Sequence, residues 1–218
     1  MVTAAVAPAP ILFDEPADDA GLLTARLGHT RFLIVPERRY LMFDGHGAPG
    51  GESFQAAFGA LYPVAYTLHF ALKRRGVTAP VGASEGLYWF GDVEGPITPA
   101  EFSRHDIGSW SWRLMLPVPE AATPEEIEAA LAEVARKKAP PALALLRIER
   151  WEEGRAAQTL HVGPYEAEPP TITALHEAIA EAGLRQRGCH HEIYISDPNR
   201  TAPDRLKTII RQPVALAR

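Results

Sequence analysis

The chain has 218 residues, enough for one large domain or two small ones, and is 46% hydrophobic and 22% charged, which supports a packed core and excludes general disorder. With 22 basic and 27 acidic residues the net charge is −5, so nothing marks a surface for nucleic acid or an anionic membrane. The lone cysteine, Cys189, excludes an internal disulfide framework. No run approaches the ~20 apolar residues of a bilayer span, and the N-terminus lacks the basic start of a secretory signal, so a cytoplasmic protein with no membrane partner is expected.

Residues 1–30 are rich in Ala, Pro and Asp and read as a poorly ordered or loosely packed leader, with one helical turn near Gly21–Leu27. Arg31–Val35 is an apolar run ended by Pro36, and Arg39–Gly45 reads as a strand running into a glycine-rich loop. From Glu52 the period becomes helical, with Phe54, Phe58, Leu61, Ala65, Leu68 and Leu72 at steps of three and four. Pro63 lies inside this helix and Gly76 ends it. Glu85–Phe90 and Ser109–Pro117 are bulky, aromatic strands. Thr123-Pro124-Glu125-Glu126 has the form of a capping box and opens a helix to about Lys138.

After Pro140-Pro141 the same order recurs. Leu146–Glu152 and Ala156–Val162 are strands joined by a turn at Glu153-Gly154. A helix with Ile172, Leu175 and Ile179 on one face follows, ended by Gly183, and His190–Ser196 and Lys207–Gln212 are the closing strands. Leu87-Tyr88-Trp89 parallels Glu192-Ile193-Tyr194, which sets Leu87 against Glu192 and Trp89 against Tyr194. The expected fold is α+β: two strand–helix–strand–strand repeats, 31–118 and 145–214, in one domain over 31–218. A helix at 124–138 links them, and they form an antiparallel sheet with helices on one face and a central ligand groove.

Alternation puts His190, Glu192 and Tyr194 on one side of their strand and His191, Ile193 and Ile195 on the other. The second set is more apolar and is expected to meet a helix. Trp110 and Trp112 share a side of the neighbouring strand. A carboxylate in an aromatic wall supplies a counter-charge for a flat cation, or a proton donor or base once desolvated. Cys189, His190 and His191 are consecutive on a strand and cannot easily converge on one ion, so no metal and no cofactor are expected. His161 reads as a hydrogen-bonded structural histidine. No dinucleotide, Walker or nucleophile-elbow motif is present.

Several linked segments resemble the GyrI-like small-molecule-binding family over roughly residues 30–214: Gln158–Tyr165 with Glu168 and Thr171 behind it, His190–Pro198, Leu206-Lys207-Thr208 and Gln212-Pro213-Val214. Glu85–Trp89, Trp110-Ser111-Trp112 and Leu61–Thr67 are similar to its stand-alone branch, with Tyr88 where that branch usually has a second tryptophan. The resemblance implies binding of hydrophobic or cationic drug-like molecules, with Glu192 as the pocket carboxylate, in a role of xenobiotic protection. Some branch members resemble hydrolases that open the cyclopropane ring of DNA-alkylating compounds. In that reading Glu192 or Glu85 acts on water or on the leaving carbonyl. Trp89, Trp112 and Tyr165, with Tyr66, form an aromatic cage, and Trp110, Tyr62 and Tyr194 complete the expected ligand contacts. A third reading, an effector-binding regulator, needs a DNA-binding partner, since residues 1–30 are too few and too acidic for a helix-turn-helix. The expected partner is a hydrophobic small molecule, with no direct nucleic-acid contact and a monomer or homodimer as the assembly.

Overall fold

Four α-helices and nine strands lie among the described residues, 11–16, 18–98, 101 and 106–217 of a computed structural model. In chain order they are α1 (Asp19–Leu22), β1 (Arg31–Val35), β2 (Arg38–His46), α2 (Glu52–Arg74), β3 (Ser84–Phe90), β4 (Trp110–Pro117) and α3 (Pro124–Lys137). Then follow β5 (Arg147–Trp151), β6 (Gly154–Val162), α4 (Pro169–Glu181), β7 (Leu184–Gln186), β8 (His190–Tyr194) and β9 (Lys207–Leu216). The expected leader residues 1–10 lie outside the described residues. No helix among the described residues is long and apolar enough to cross a membrane.

All strand pairs are antiparallel, in the order β1-β6-β9-β8-β3-β4-β2-β5, with β7 added to β9. The order reads alike in both directions from its middle. β2-β4-β3 of the first repeat mirrors β6-β9-β8 of the second, and the repeats join edge to edge at β8–β3. The outer strands are exchanged: β1 pairs with β6 and β5 pairs with β2. The turn at Glu153-Gly154 therefore closes no hairpin. Each repeat instead covers the free edge of the other.

Hydrophobic periodicity accounts for the helices. The apolar stripe of α2 packs Phe54, Ala57, Leu61, Val64, Leu68 and Leu72 onto Leu41, Phe43, Tyr88, Trp112, Leu114 and Leu116. The expected capping box of α3 is formed: Thr123 Oγ1 accepts from the Glu126 amide at 3.3 Å, and Glu126 Oε2 accepts from the Thr123 amide at 3.0 Å. Ile127, Ala130 and Val134 then seat α3 beside α2. In the second repeat α4 buries Ile172, Leu175 and Ile179 against Ala157, Ile210 and Val214. The three long helices thus cover one face of the sheet.

The other face is not bare. Leu22 of α1 packs on Leu33, Val35 and Ala156, and the Leu22 carbonyl accepts from Gln158 Nε2 at 3.1 Å and from Arg211 Nη2 at 3.0 Å. Asp19 is paired with Arg38 at 2.8 Å. Segment 18–24 is thereby tied over a buried charge cluster.

Candidate functional site

The seam between the repeats decides which side chains meet. It pairs Gly86 with Glu192, Ser84 with Tyr194 and Tyr88 with His190. Directly opposite residues share a face, so Glu192, His190, Tyr194 and Tyr88 all point to the side of the long helices. By the symmetry of the strand order, Tyr88 is the counterpart of Tyr194 and Gly86 that of Glu192. The alignment of Leu87 with Glu192 and of Trp89 with Tyr194 is out by one residue. In a strand such a slip exchanges the faces, and this corrects two expectations. The partner of Tyr194 across the repeats is Tyr88, not Trp89. The His191 side also faces away from the long helices rather than meeting one.

At the seam Glu192 Oε1 lies 3.1 Å from His190 Nε2, and Tyr194 donates to Glu192 Oε2 at 2.9 Å. The Tyr194 and Tyr88 hydroxyls are hydrogen-bonded to each other. Gly86 makes room for this: a Cβ there would come 2.8 Å from the Tyr88 hydroxyl and 3.0 Å from that of Tyr194. Trp110 stands edge-on to Tyr88 at 5.7 Å between ring centroids, and Tyr165 edge-on to Tyr194 at 5.9 Å. The Glu192 side chain is 14% exposed and Tyr165 is 37% exposed, so the carboxylate is reached from solvent beside Tyr165. His161 is structural, as expected. Its Nε2 donates to the Pro164 carbonyl at 3.2 Å and its Nδ1 lies 3.0 Å from Thr171 Oγ1, which holds the loop before Tyr165 against α4.

Glu168 is the member of this site that the sequence reading left in the background. It stands at the N-cap position of α4, yet its side chain makes no capping bond. It is 4% exposed, and donor atoms of Glu168, His190 and Glu192 lie within 4.8 Å of one another. Burial first, and the Glu192 carboxylate next, hold the Glu168 proton far above the usual carboxylate range. The same two causes push the Tyr165 hydroxyl up to about 12. His176, two turns further along α4, is buried beside His190, and burial followed by that neighbour pulls its imidazole down to about 4. No strand alternation could have found Glu168. A glutamate between an aromatic loop and a helix-opening Pro-Pro pair was the available signal.

Three expected site residues do not join this group. Trp112 has no exposed area; it lies under α2, 5.0 Å from Phe54, and its ring fills the space over Gly45. Trp89 sits on the opposite face with Tyr40, Leu87, Met115 and Cys189, beneath the Arg113 guanidinium at 5.9 Å. The cage built from Trp89 and Trp112 is therefore corrected, because the two rings lie on opposite sides of one sheet. Glu85 also faces away from Glu192. It is 2% exposed and bonded to His191 Nε2 at 3.1 Å and to the Tyr40 hydroxyl at 3.3 Å. There it belongs to a balanced buried cluster. Glu153 accepts from His191 Nδ1 at 2.8 Å and from Arg211 Nη1 at 3.1 Å, and Arg38 comes within 3.5 Å of Glu85.

Tyr62 and Tyr66 lie along α2 in a ladder with Phe58, at 5.6 and 6.2 Å between centroids. Tyr62 donates to Ser84 Oγ at 3.1 Å, which brings its hydroxyl to the seam opposite Tyr194. A cavity of about 390 Å³ lies further out between α2 and α3, lined by Tyr62, Tyr66, Phe70, Glu133 and Lys137. Glu168 and Glu192 do not line it.

The profile of the GyrI-like small-molecule-binding domain matches residues 29–215. The chain belongs to the GyrI-like family. Among solved structures, an uncharacterized conserved protein from Listeria innocua is 32% identical, covering 88% of this chain and 94% of its own, with a TM-score of 0.77. A hydrolase from Listeria innocua is 33% identical, covering 93% of this chain and all of its own, with a TM-score of 0.73. The C-terminal domain of EcmrR shares the fold at 12% identity, covering 86% of this chain and 98% of its own, with a TM-score of 0.53. No curated protein matches the chain. The α+β architecture is thus that of GyrI-like proteins.

Proposed function

We propose that this GyrI-like protein binds a flat hydrophobic small molecule carrying a positive charge, and that the cell uses it for protection against such compounds. One observation carries the reading. Glu192 lies among Tyr194, Tyr88 and Tyr165 at a solvent-reached seam, and its hydrogen-bond partners are His190, Tyr194 and the Glu168 carboxyl rather than an arginine or lysine. A planar cation supplies the missing positive charge and stacks on or edges against the rings. Tyr165 at the mouth, Trp110 behind Tyr88, and Tyr62 and Tyr66 on α2 extend the apolar surface along the ligand. Calorimetric titration with a planar quaternary ammonium dye and its neutral isostere tests this. The dye binds and the isostere binds more weakly. Glu192→Gln removes roughly 1.5–3 kcal/mol of the dye's affinity, the worth of a hydrogen bond or ion pair to a charged group. Equal affinities for the dye in both proteins refute the assignment.

A second reading, hydrolysis of a strained electrophilic ring, is favoured by the carboxyl pair and by the 33%-identical hydrolase. Burial and the neighbouring Glu192 keep the proton on Glu168, which can serve as the acid. The Glu192 carboxylate takes a proton from water, the water oxygen bonds to a ring carbon as that carbon's ring C–C bond breaks, and the released electron pair is held on the conjugated carbonyl oxygen, which takes the proton from Glu168. A positioned acid and base of this kind contribute ~10²–10⁴-fold. Incubation with a cyclopropane-bearing alkylator, followed by mass spectrometry, reports a product heavier by one water. An unchanged substrate refutes hydrolysis and leaves binding intact.

A further inference from the structure

Among the described residues two pairs of carboxylates lie in or at the edge of the core, and they are neutralised differently. On the face covered by α1, Glu85 and Glu153 are met by His191, Arg211 and Arg38. On the face of the long helices, Glu168 and Glu192 are met by His190, and among the described residues neither is ion-paired with an arginine or lysine. Two carboxyl groups at this separation cannot both ionise without a counter-charge. On this side either a proton held between the two carboxyls or a cation from outside the protein meets that need.

We propose that Glu168, His190 and Glu192 form a binding site for a divalent transition-metal ion, with Zn²⁺ as the first candidate. The donor set is one imidazole nitrogen and two carboxylate oxygens, the mixture that suits Zn²⁺ and its neighbours rather than Mg²⁺ or Ca²⁺. Tetrahedral zinc places its ligand atoms about 3.4 Å apart. His190 Nε2 and Glu192 Oε1 already stand at 3.1 Å, and all three donors fall within 4.8 Å of one another, so a small inward movement of Glu168 completes the set. Independent of this spacing, Glu168 Oε1 is buried and has no hydrogen-bond partner, in a residue only 4% exposed. His176 is 8% exposed, and neither of its ring nitrogens makes a well-formed hydrogen bond although it adjoins His190 and Gln212. The bond from Tyr194 to Glu192 Oε2 orients that ligand from behind, as outer partners of metal ligands do. Three protein ligands leave a fourth position open toward Tyr165. The site shares Glu192 with the proposed organic cation but does not depend on that cation binding.

The test uses the full chain after treatment with a chelator. Zn²⁺ is titrated by calorimetry and Co²⁺ by visible absorption. One ion per chain is expected, with cobalt bands of an N/O-ligated ion. Glu168→Gln and His190→Gln each weaken binding by roughly tenfold or more, while His46→Gln, at the exposed end of β2, leaves it unchanged. Absence of saturable binding, or equal binding in Glu168→Gln, overturns the site. If His190→Gln fails to fold by circular dichroism, the isosteric Glu168→Gln decides alone. Titrating the quaternary ammonium dye into the same samples separates the two ideas. Dye without metal binding sinks the metal site only, and metal without dye binding sinks the organic-cation reading only.

Discussion

Replacing Glu153 by glutamine keeps the shape of the side chain and removes one charge from the buried cluster behind Glu192. Burial opposes the Glu153 carboxylate, but His191 and Arg211 outweigh it and draw the group from 4.5 down to about 2. At about 1.4 kcal/mol per pH unit, that displacement corresponds to about 3 kcal/mol of stability near neutral pH. A value of about 3–5 kcal/mol follows independently from the known cost of breaking a buried ion pair by removing one partner. For a chain of this length about 3 kcal/mol lowers the melting temperature by about 6–12 °C. The sign fixes the pH window. A depressed carboxyl contributes its full stability above 4.5 and loses it as pH falls through about 2. His191 lies in the opposite sense: burial opposes its charge, Glu153 and Glu85 outweigh that, and its value rises above 6.5. Its contribution is full below 6.5 and is lost as pH rises through the raised value. Melting curves of the wild type and Glu153→Gln across this range measure the difference. The gap should be widest between the two limbs and should close at acid pH. Equal melting temperatures at neutral pH, or a gap that persists at pH 2, would refute the account.

Other outcomes follow from the same geometry. Glu168 is displaced upward, so it stabilises the fold fully only below 4.5 and loses that contribution as pH rises toward its folded value. Glu168→Gln in metal-free protein should therefore melt higher than wild type, with a margin growing from pH 5 to about pH 8; a lower melting temperature across this range contradicts the burial argument. Glu85→Gln should cost about 3 kcal/mol by breaking the same buried cluster while dye affinity stays at the wild-type value, and a loss of affinity without loss of stability would return Glu85 to the site. Trp112→Ala should cost about 3–5 kcal/mol in a denaturant titration. Trp110→Ala should chiefly weaken dye binding, and the converse pattern would mean that the two tryptophans have been assigned the wrong roles.

Local signals were legible where local physics decides. The alternation of β8 separates His190, Glu192 and Tyr194 from His191 and Ile193 because successive side chains on a strand must point to opposite faces. The capping box at Thr123 and the apolar stripe of α2 are equally local, and the repeated order of elements was visible because each copy carries its own strand and helix signals. β7 at Leu184–Gln186 was missed: three residues give too short a run to show a period. β9 continues through Pro213 to Leu216, past the expected end at Gln212, because its pairing with β7 extends it.

What the sequence by itself determined is an α+β duplication, with Glu192 and Tyr194 on one side of one strand. Only the tertiary structure decided which face that side is, since this depends on the register of β8 against β3, and a one-residue slip turns every side chain over. It also brought Glu168 from the start of α4 to Glu192, and sent Glu85 and Trp89 to the back of the sheet and Trp112 beneath α2. Those placements come from pairing across the seam and from the seating of helices on strands, forces that act between residues distant in the chain and leave no mark on its local pattern.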